Sequence, residues 1–137
     1  MLNKIFLMGR LTRDPELRRT QGGTAVASFT LAVDRDFKDS ASGERVADFI
    51  DCVAWRHTGE FVSRCFSKGQ MAVVEGRLQI RNWSDKDGNK RRSAEVVADQ
   101  VYFAGSKRDA SAHPPAAGEP QSGEFQEMTD DDGKLPF

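Results

Sequence analysis

Aromatic rings and arginines recur together at strand spacing in this sequence. Over 46–56, Phe49, Asp51, Val53 and Trp55 fall on one side of an extended chain, with Ile50, Cys52 and Ala54 on the other. Over 71–83, Arg77, Gln79, Arg81 and Trp83 fall opposite Ala72, Val74, Gly76, Leu78 and Ile80, and the apolar set reads as the interior. Arg56 follows Trp55 directly, and Phe37, with Arg35 and Lys38 nearby, is expected in the long loop between the second and third strands, within reach of the same surface. Such a face suits unpaired nucleobases. Each base stacked on Trp or Phe contributes ~1–3 kcal/mol whatever its identity. Arg35, Lys38, Arg56, Arg77 and Arg81 would meet the phosphates, with a salt-dependent gain from counterion release. Taken singly, the same residues have plainer readings. Phe49 and Trp55 alternate with Val53 and equally suit packing against a second subunit or a helix, and Arg77 and Arg81 equally suit an ordinary solvated face.

Residue sets for catalysis are sparse, and neither an enzyme nor a cofactor is expected. His57 and His113 stand in unrelated contexts, and no metal-spaced cluster, nucleophile elbow or phosphate-cradling glycine loop occurs. Gly22-Gly23 reads as a hairpin turn, and Asp34 and Asp36 lack a partner base. Cys52 and Cys65 are too few and too far apart for a disulfide framework or a zinc site, and read as reduced, buried small hydrophobes.

The elements that must carry these residues follow from periodicity. Strands are expected over 2–10, 25–33, 46–56, 71–83 and 91–103, with a turn at Asp14-Pro15, a polar loop at 39–44 and a hairpin at 84–89. In the second strand Ala25, Ala27, Phe29, Leu31 and Val33 share a face opposite Ser28 and Thr30. Between 58 and 68 the period changes: Phe61, Val62, Cys65 and Phe66 form a helical stripe, with Thr58 as N-cap and Gly69 as stop. Five strands with one helix between the third and fourth make an all-β, five-stranded OB-fold barrel. An open sheet capped by a helix has the same element order.

Charge divides the chain in two. Residues 1–108 hold 19 Lys+Arg against 14 Asp+Glu, and residues 109–137 hold 1 against 7. A basic domain over 1–108 implies a polyanionic partner, and the acidic remainder implies a separate role. Residues 109–137 carry prolines at 114, 115, 120 and 136 and too few apolar side chains to offset ordering entropy, so a disordered tail is expected. As a flexible coil it would span ~30 Å. No apolar run reaches membrane-spanning length and no signal-peptide pattern opens the chain, so a soluble, cytoplasmic protein without membrane contact is expected.

The segments NKIFLMGRLTRDPELR at 3–18, TAVASFTLAVDR at 24–35, DFIDCVAW at 48–55 and KGQMAVVEGRLQIRNW at 68–83 resemble bacterial single-stranded DNA-binding proteins. The terminal DDDGKLPF resembles that family's acidic, Pro-Phe-ending tip, although Gly133-Lys134 separates Asp130, Asp131 and Asp132 from Leu135, Pro136 and Phe137. The resemblance implies an OB barrel, a homotetramer wrapped by DNA and no catalysis. It implies base stacking at Phe37, Phe49, Trp55 and Trp83. It also implies a tip that docks replication, recombination and repair enzymes, in a cytoplasmic, nucleoid-associated setting. Two rivals are an RNA-binding module of the cold-shock kind, which would need no acidic tip, and a nuclease on the same barrel.

Overall fold

The computed structural model describes residues 1–105. The expected tail and its tip, 109–137, lie outside the described residues, as do residues 106–108 of the expected domain. The elements run β1 (Ile5–Leu11), β2 (Glu16–Arg19), β3 (Ala25–Lys38), β4 (Arg45–Trp55), α1 (Arg56–Cys65), β5 (Met71–Ser84) and β6 (Lys90–Phe103).

Alternation turns one side of each long strand inward. Phe29 and Leu31 from β3 meet Cys52 and Ala54 from β4, Ala72 and Val74 from β5, and Val96, Ala98 and Val101 from β6, and Ala25 and Ala27 of β3 are buried as well. Helix α1 adds Val62, and Phe66 beyond its end packs into the same core. Pairing proceeds in the order β1-β5-β6-β4-β3-β2, and β1 also pairs β3 at Arg10↔Ala32 and Leu11↔Leu31. That last contact makes a ring, so the sheet is the closed five-stranded barrel with one helix of the OB-fold, not an open sheet. The ring's parallel seam is short, with β4 and β6 matched at Cys52↔Val96, Val53↔Val97 and Ala54↔Ala98.

Five differences from the sequence expectation have physical causes. First, a short extra strand, β2, follows the Asp14-Pro15 turn and pairs with β3. All four of its residues are exposed, so no burial contrast marks it. Second, β3 continues to Lys38, so Arg35, Phe37 and Lys38 lie on a strand that leaves the barrel and not in a loop. Third, α1 starts at Arg56, directly off Trp55, without a side-chain cap; the Thr58 hydroxyl instead donates to the Asp99 carbonyl at 3.3 Å. Fourth, α1 ends at Cys65, and Gly69, at φ +86°, belongs to the turn that follows.

Fifth, Leu78 and Ile80 are not interior: they are 42% and 46% exposed. A register shift between Glu75 and Gly76 marks where the β5–β6 hairpin leaves the barrel wall. Gly76 allows this bend, because a Cβ there would collide with the Val97 carbonyl. Gly59 has a matching role in α1, where a Cβ would strike the Ala54 carbonyl and lift the helix off the sheet.

Candidate nucleic-acid interface

Strand register sorts the outer face of β2, β3 and β4 into rungs. Trp55 stands opposite Val26, which stands opposite Arg18. Val53, Ser28 and Glu16 make the next rung, and Thr30 pairs with Asp51 in the one after. Phe49 stands opposite Ala32, which stands opposite Arg10 on β1. Directly opposed residues share a face, so Phe49 and Trp55 each align with an arginine two strands away.

The rings are open to solvent. Phe37 is 83% exposed, Phe49 70%, Trp55 44% and Trp83 51%. Four large rings left in water forgo the gain that burial would bring, and exposed apolar area of this kind marks a candidate interaction surface. Trp83 faces Arg91 across the β5–β6 hairpin, and an open recess of about 380 Å³ there is lined by Asn82, Trp83, Ser84 and Lys90. Because β4 and β6 run parallel, the β3–β4 arm with Phe37 and the β5–β6 arm with Trp83 project from the same end of the barrel. Phe49 lies toward that end, and Trp55 closes the other end of β4 beside α1.

The candidate cations fall into two groups. Arg35 grips Asp48 with two nitrogens, Nη2 to Oδ1 at 2.8 Å and Nε to Oδ2 at 3.0 Å. That hydrogen bonding holds the Asp48 carboxyl below its ordinary range and raises the Arg35 guanidinium. Arg81 lies 3.6 Å from Glu95. Lys38, Arg56 and Arg77 pair with no carboxylate among the described residues. Arg56 is the one non-glycine at positive φ among them, at +56°. This left-handed residue makes the sharp turn that ends β4 at Trp55 and starts α1, at a backbone cost of roughly 1–2 kcal/mol.

Sequence patterning missed Arg10, Arg18 and Arg91 as neighbours of the rings. Their proximity comes from register between distant segments, and one-dimensional periodicity carries no trace of it. The partner-tip residues Asp130, Asp131, Asp132, Leu135, Pro136 and Phe137 lie outside the described residues.

Among the described residues no three His, Cys, Asp or Glu side chains gather as a metal site. Burial, with a smaller push from Asp51, drives the Cys52 thiol up to about 12, which leaves it unreactive at neutral pH. Both cysteines are free. No helix among the described residues is long and apolar enough to cross a membrane.

A sequence model described as "Single-strand binding protein family" matches residues 2–104. The chain is 51% identical over 109 residues to Single-stranded DNA-binding protein 2 of Listeria monocytogenes, covering 80% of this chain and 68% of that protein. It is 50% identical over 111 residues to Single-stranded DNA-binding protein 3 of Listeria innocua, covering 81% and 69%. It is 54% identical over 103 residues to Single-stranded DNA-binding protein 1 of Staphylococcus aureus, covering 75% of this chain and 65% of that one. The closed barrel, its exposed aromatic rungs and these matches agree: the chain belongs to the single-strand binding protein family.

Proposed function

We propose that this chain binds single-stranded DNA with little sequence preference, stacking bases on Phe37, Phe49, Trp55 and Trp83 and holding phosphates with nearby cations. Its family consists of non-enzymatic DNA-binding proteins. The observation that carries the reading is the row of exposed rings on β4, each aligned with an arginine across the sheet. Arg35, Lys38, Arg56, Arg77 and Arg81 supply phosphate contacts, as do Arg10 and Arg18. The DNA-binding domain spans 1–108, and 109–137 forms the tail.

Adding poly-dT should quench tryptophan fluorescence, since both tryptophans lie on the proposed surface. The logarithm of affinity should fall linearly with the logarithm of salt concentration. No quenching at low salt would sink the reading. Stronger competition by RNA than by DNA of the same sequence would favour the RNA-binding module instead.

The working form is a homotetramer assembled through β1. Phe6, Met8 and Tyr102 are exposed on one outer sheet face, aligned by Met8↔Val73 and Val73↔Tyr102. Among the described residues β1 pairs β3 at Arg10 and Leu11 alone, which leaves the edge from Ile5 to Gly9 without a strand partner there. Light scattering should give a tetramer mass at micromolar concentration, and Phe6→Glu combined with Met8→Glu should give a smaller species. A monomeric parent protein would refute this assembly.

The C-terminal tip recruits replication, recombination and repair enzymes to the covered strand, in the cytoplasm and at the nucleoid. Its acids speed encounter with a basic rim, and Phe137 anchors in an apolar pocket. Deleting 130–137 should abolish recovery of such enzymes in pull-downs. DNA affinity should stay the same or rise slightly at low salt, an increase that fades as screening sets in over ~10 Å at 0.1 M. Equal recovery by intact, truncated and Phe137→Ala proteins would leave the tip without a docking role.

A further inference from the structure

An acidic residue stands where a polyanion is proposed to lie. Asp51 shares the outer face of β4 with Phe49, Val53 and Trp55, two positions from the nearest ring, and it is exposed. Its Oδ1 accepts a hydrogen bond from the Thr30 hydroxyl at 2.8 Å across the β3–β4 rung. Oδ2 meets no donor among the described residues, and no cation pairs with the group there. The Thr30 bond fixes the side chain and leaves one charged acceptor facing solvent between two aromatic platforms.

Such a group is unfavourable for phosphate and selective for base edges. A carboxylate accepts from the exocyclic amino group of cytosine or adenine, and it repels thymine, which offers the O4 oxygen at the equivalent position. Strand rise puts successive outward residues about 7 Å apart, so a base stacked on Phe49 brings its edge within reach of Asp51. The negative charge also turns phosphates away from this strip, toward Arg10 and Arg18 across the sheet.

We propose that Asp51 makes the stacking face discriminate among bases, its free carboxylate oxygen accepting from the amino group of cytosine or adenine stacked on Phe49. This inference rests on the proposed single-strand binding face and adds a base preference to it.

The test is quench titration of the full chain with poly-dC and poly-dT, at pH 8 and one salt concentration, for the parent protein, Asp51→Ala and Asp51→Asn. Removing a repulsive charge raises affinity for both polymers equally, so the dC:dT affinity ratio isolates base recognition. That ratio should fall about fivefold in Asp51→Ala. It should also fall in Asp51→Asn, whose amide serves either base and keeps a partner for Thr30, so poor folding of the alanine variant does not blunt the test. An unchanged ratio in variants that still bind would overturn the assignment and leave the binding face intact. A parent protein that bound neither polymer would overturn both.

Discussion

Replacing Trp55 and Trp83 together by Ala is expected to weaken poly-dT binding by ~2–6 kcal/mol, since each stacked base contributes ~1–3 kcal/mol. The two residues sit on different strands, at opposite ends of the proposed surface, and share no aromatic contact. Their effects should therefore add. Both side chains point away from the core, so the barrel should persist, with unchanged far-ultraviolet circular dichroism. The chain has only these two tryptophans, so the double variant needs anisotropy of a labelled strand as its readout. The single variants can still be followed by quenching. If Trp83→Ala lost neither affinity nor its share of quenching, the far hairpin would not belong to the binding surface. A double variant as tight as the parent would reject the aromatic face altogether.

Phe29→Ala should act on the opposite side of the same strand and produce the opposite pattern. Phe29 is 1% exposed, heads the largest fully buried side chains and stands opposite Cys52. Truncating such a ring costs ~3–5 kcal/mol through lost transfer energy and the cavity left behind. Domains of this kind hold only ~5–15 kcal/mol in total. The melting temperature should drop by tens of degrees, at roughly 4–8 °C per kcal/mol for a domain near 100 residues. Assembly makes melting concentration-dependent, so parent and variant must be compared at one protomer concentration. Below its transition the variant should bind poly-dT as the parent does, because its neighbours Ser28 and Thr30, not Phe29, face outward. A loss under 1 kcal/mol would mean that the core is centred elsewhere.

The residues explain which features were legible in sequence. The inward set from Ala25 to Leu31 could be read because the strand separates core from solvent, and Phe49, Trp55 and Trp83 were correctly turned outward by the same period. Beyond Asp34, β3 has solvent on both sides; alternation loses its physical basis, and the arm read as loop. Leu78 and Ile80 show the converse. Their pattern continues past Gly76, but at that end of the barrel β5 is left 42–46% exposed at these two positions. The start of α1 was shifted because the chain turns through a left-handed Arg56 and not through a polar cap at Thr58. For the site, ring identity was visible in the sequence, but the arginines opposite the rings were not. Arg10 and Arg18 meet β4 only through β3, by register.

The short parallel seam also sets the order of events during synthesis. The hairpin of β3 and β4 can zip as soon as it leaves the ribosome, because its strands are local in sequence. The partners that close the ring are not: the Asn3 amide nitrogen reaches the Leu78 carbonyl across 75 residues, and Cys52 waits for Val96. Until β6 emerges, the inward faces carrying Phe29, Leu31 and Cys52 lack the wall formed by Val96, Ala98 and Val101. Non-local closure of this kind places folding in the millisecond-to-second range, slow beside hairpin formation at ~1–10 μs. At ~5–20 residues per second, translation leaves that greasy face uncovered for seconds. A chain truncated before Val96 is therefore expected to leave part of this face open, seen as stronger binding of a hydrophobic dye than the full chain shows.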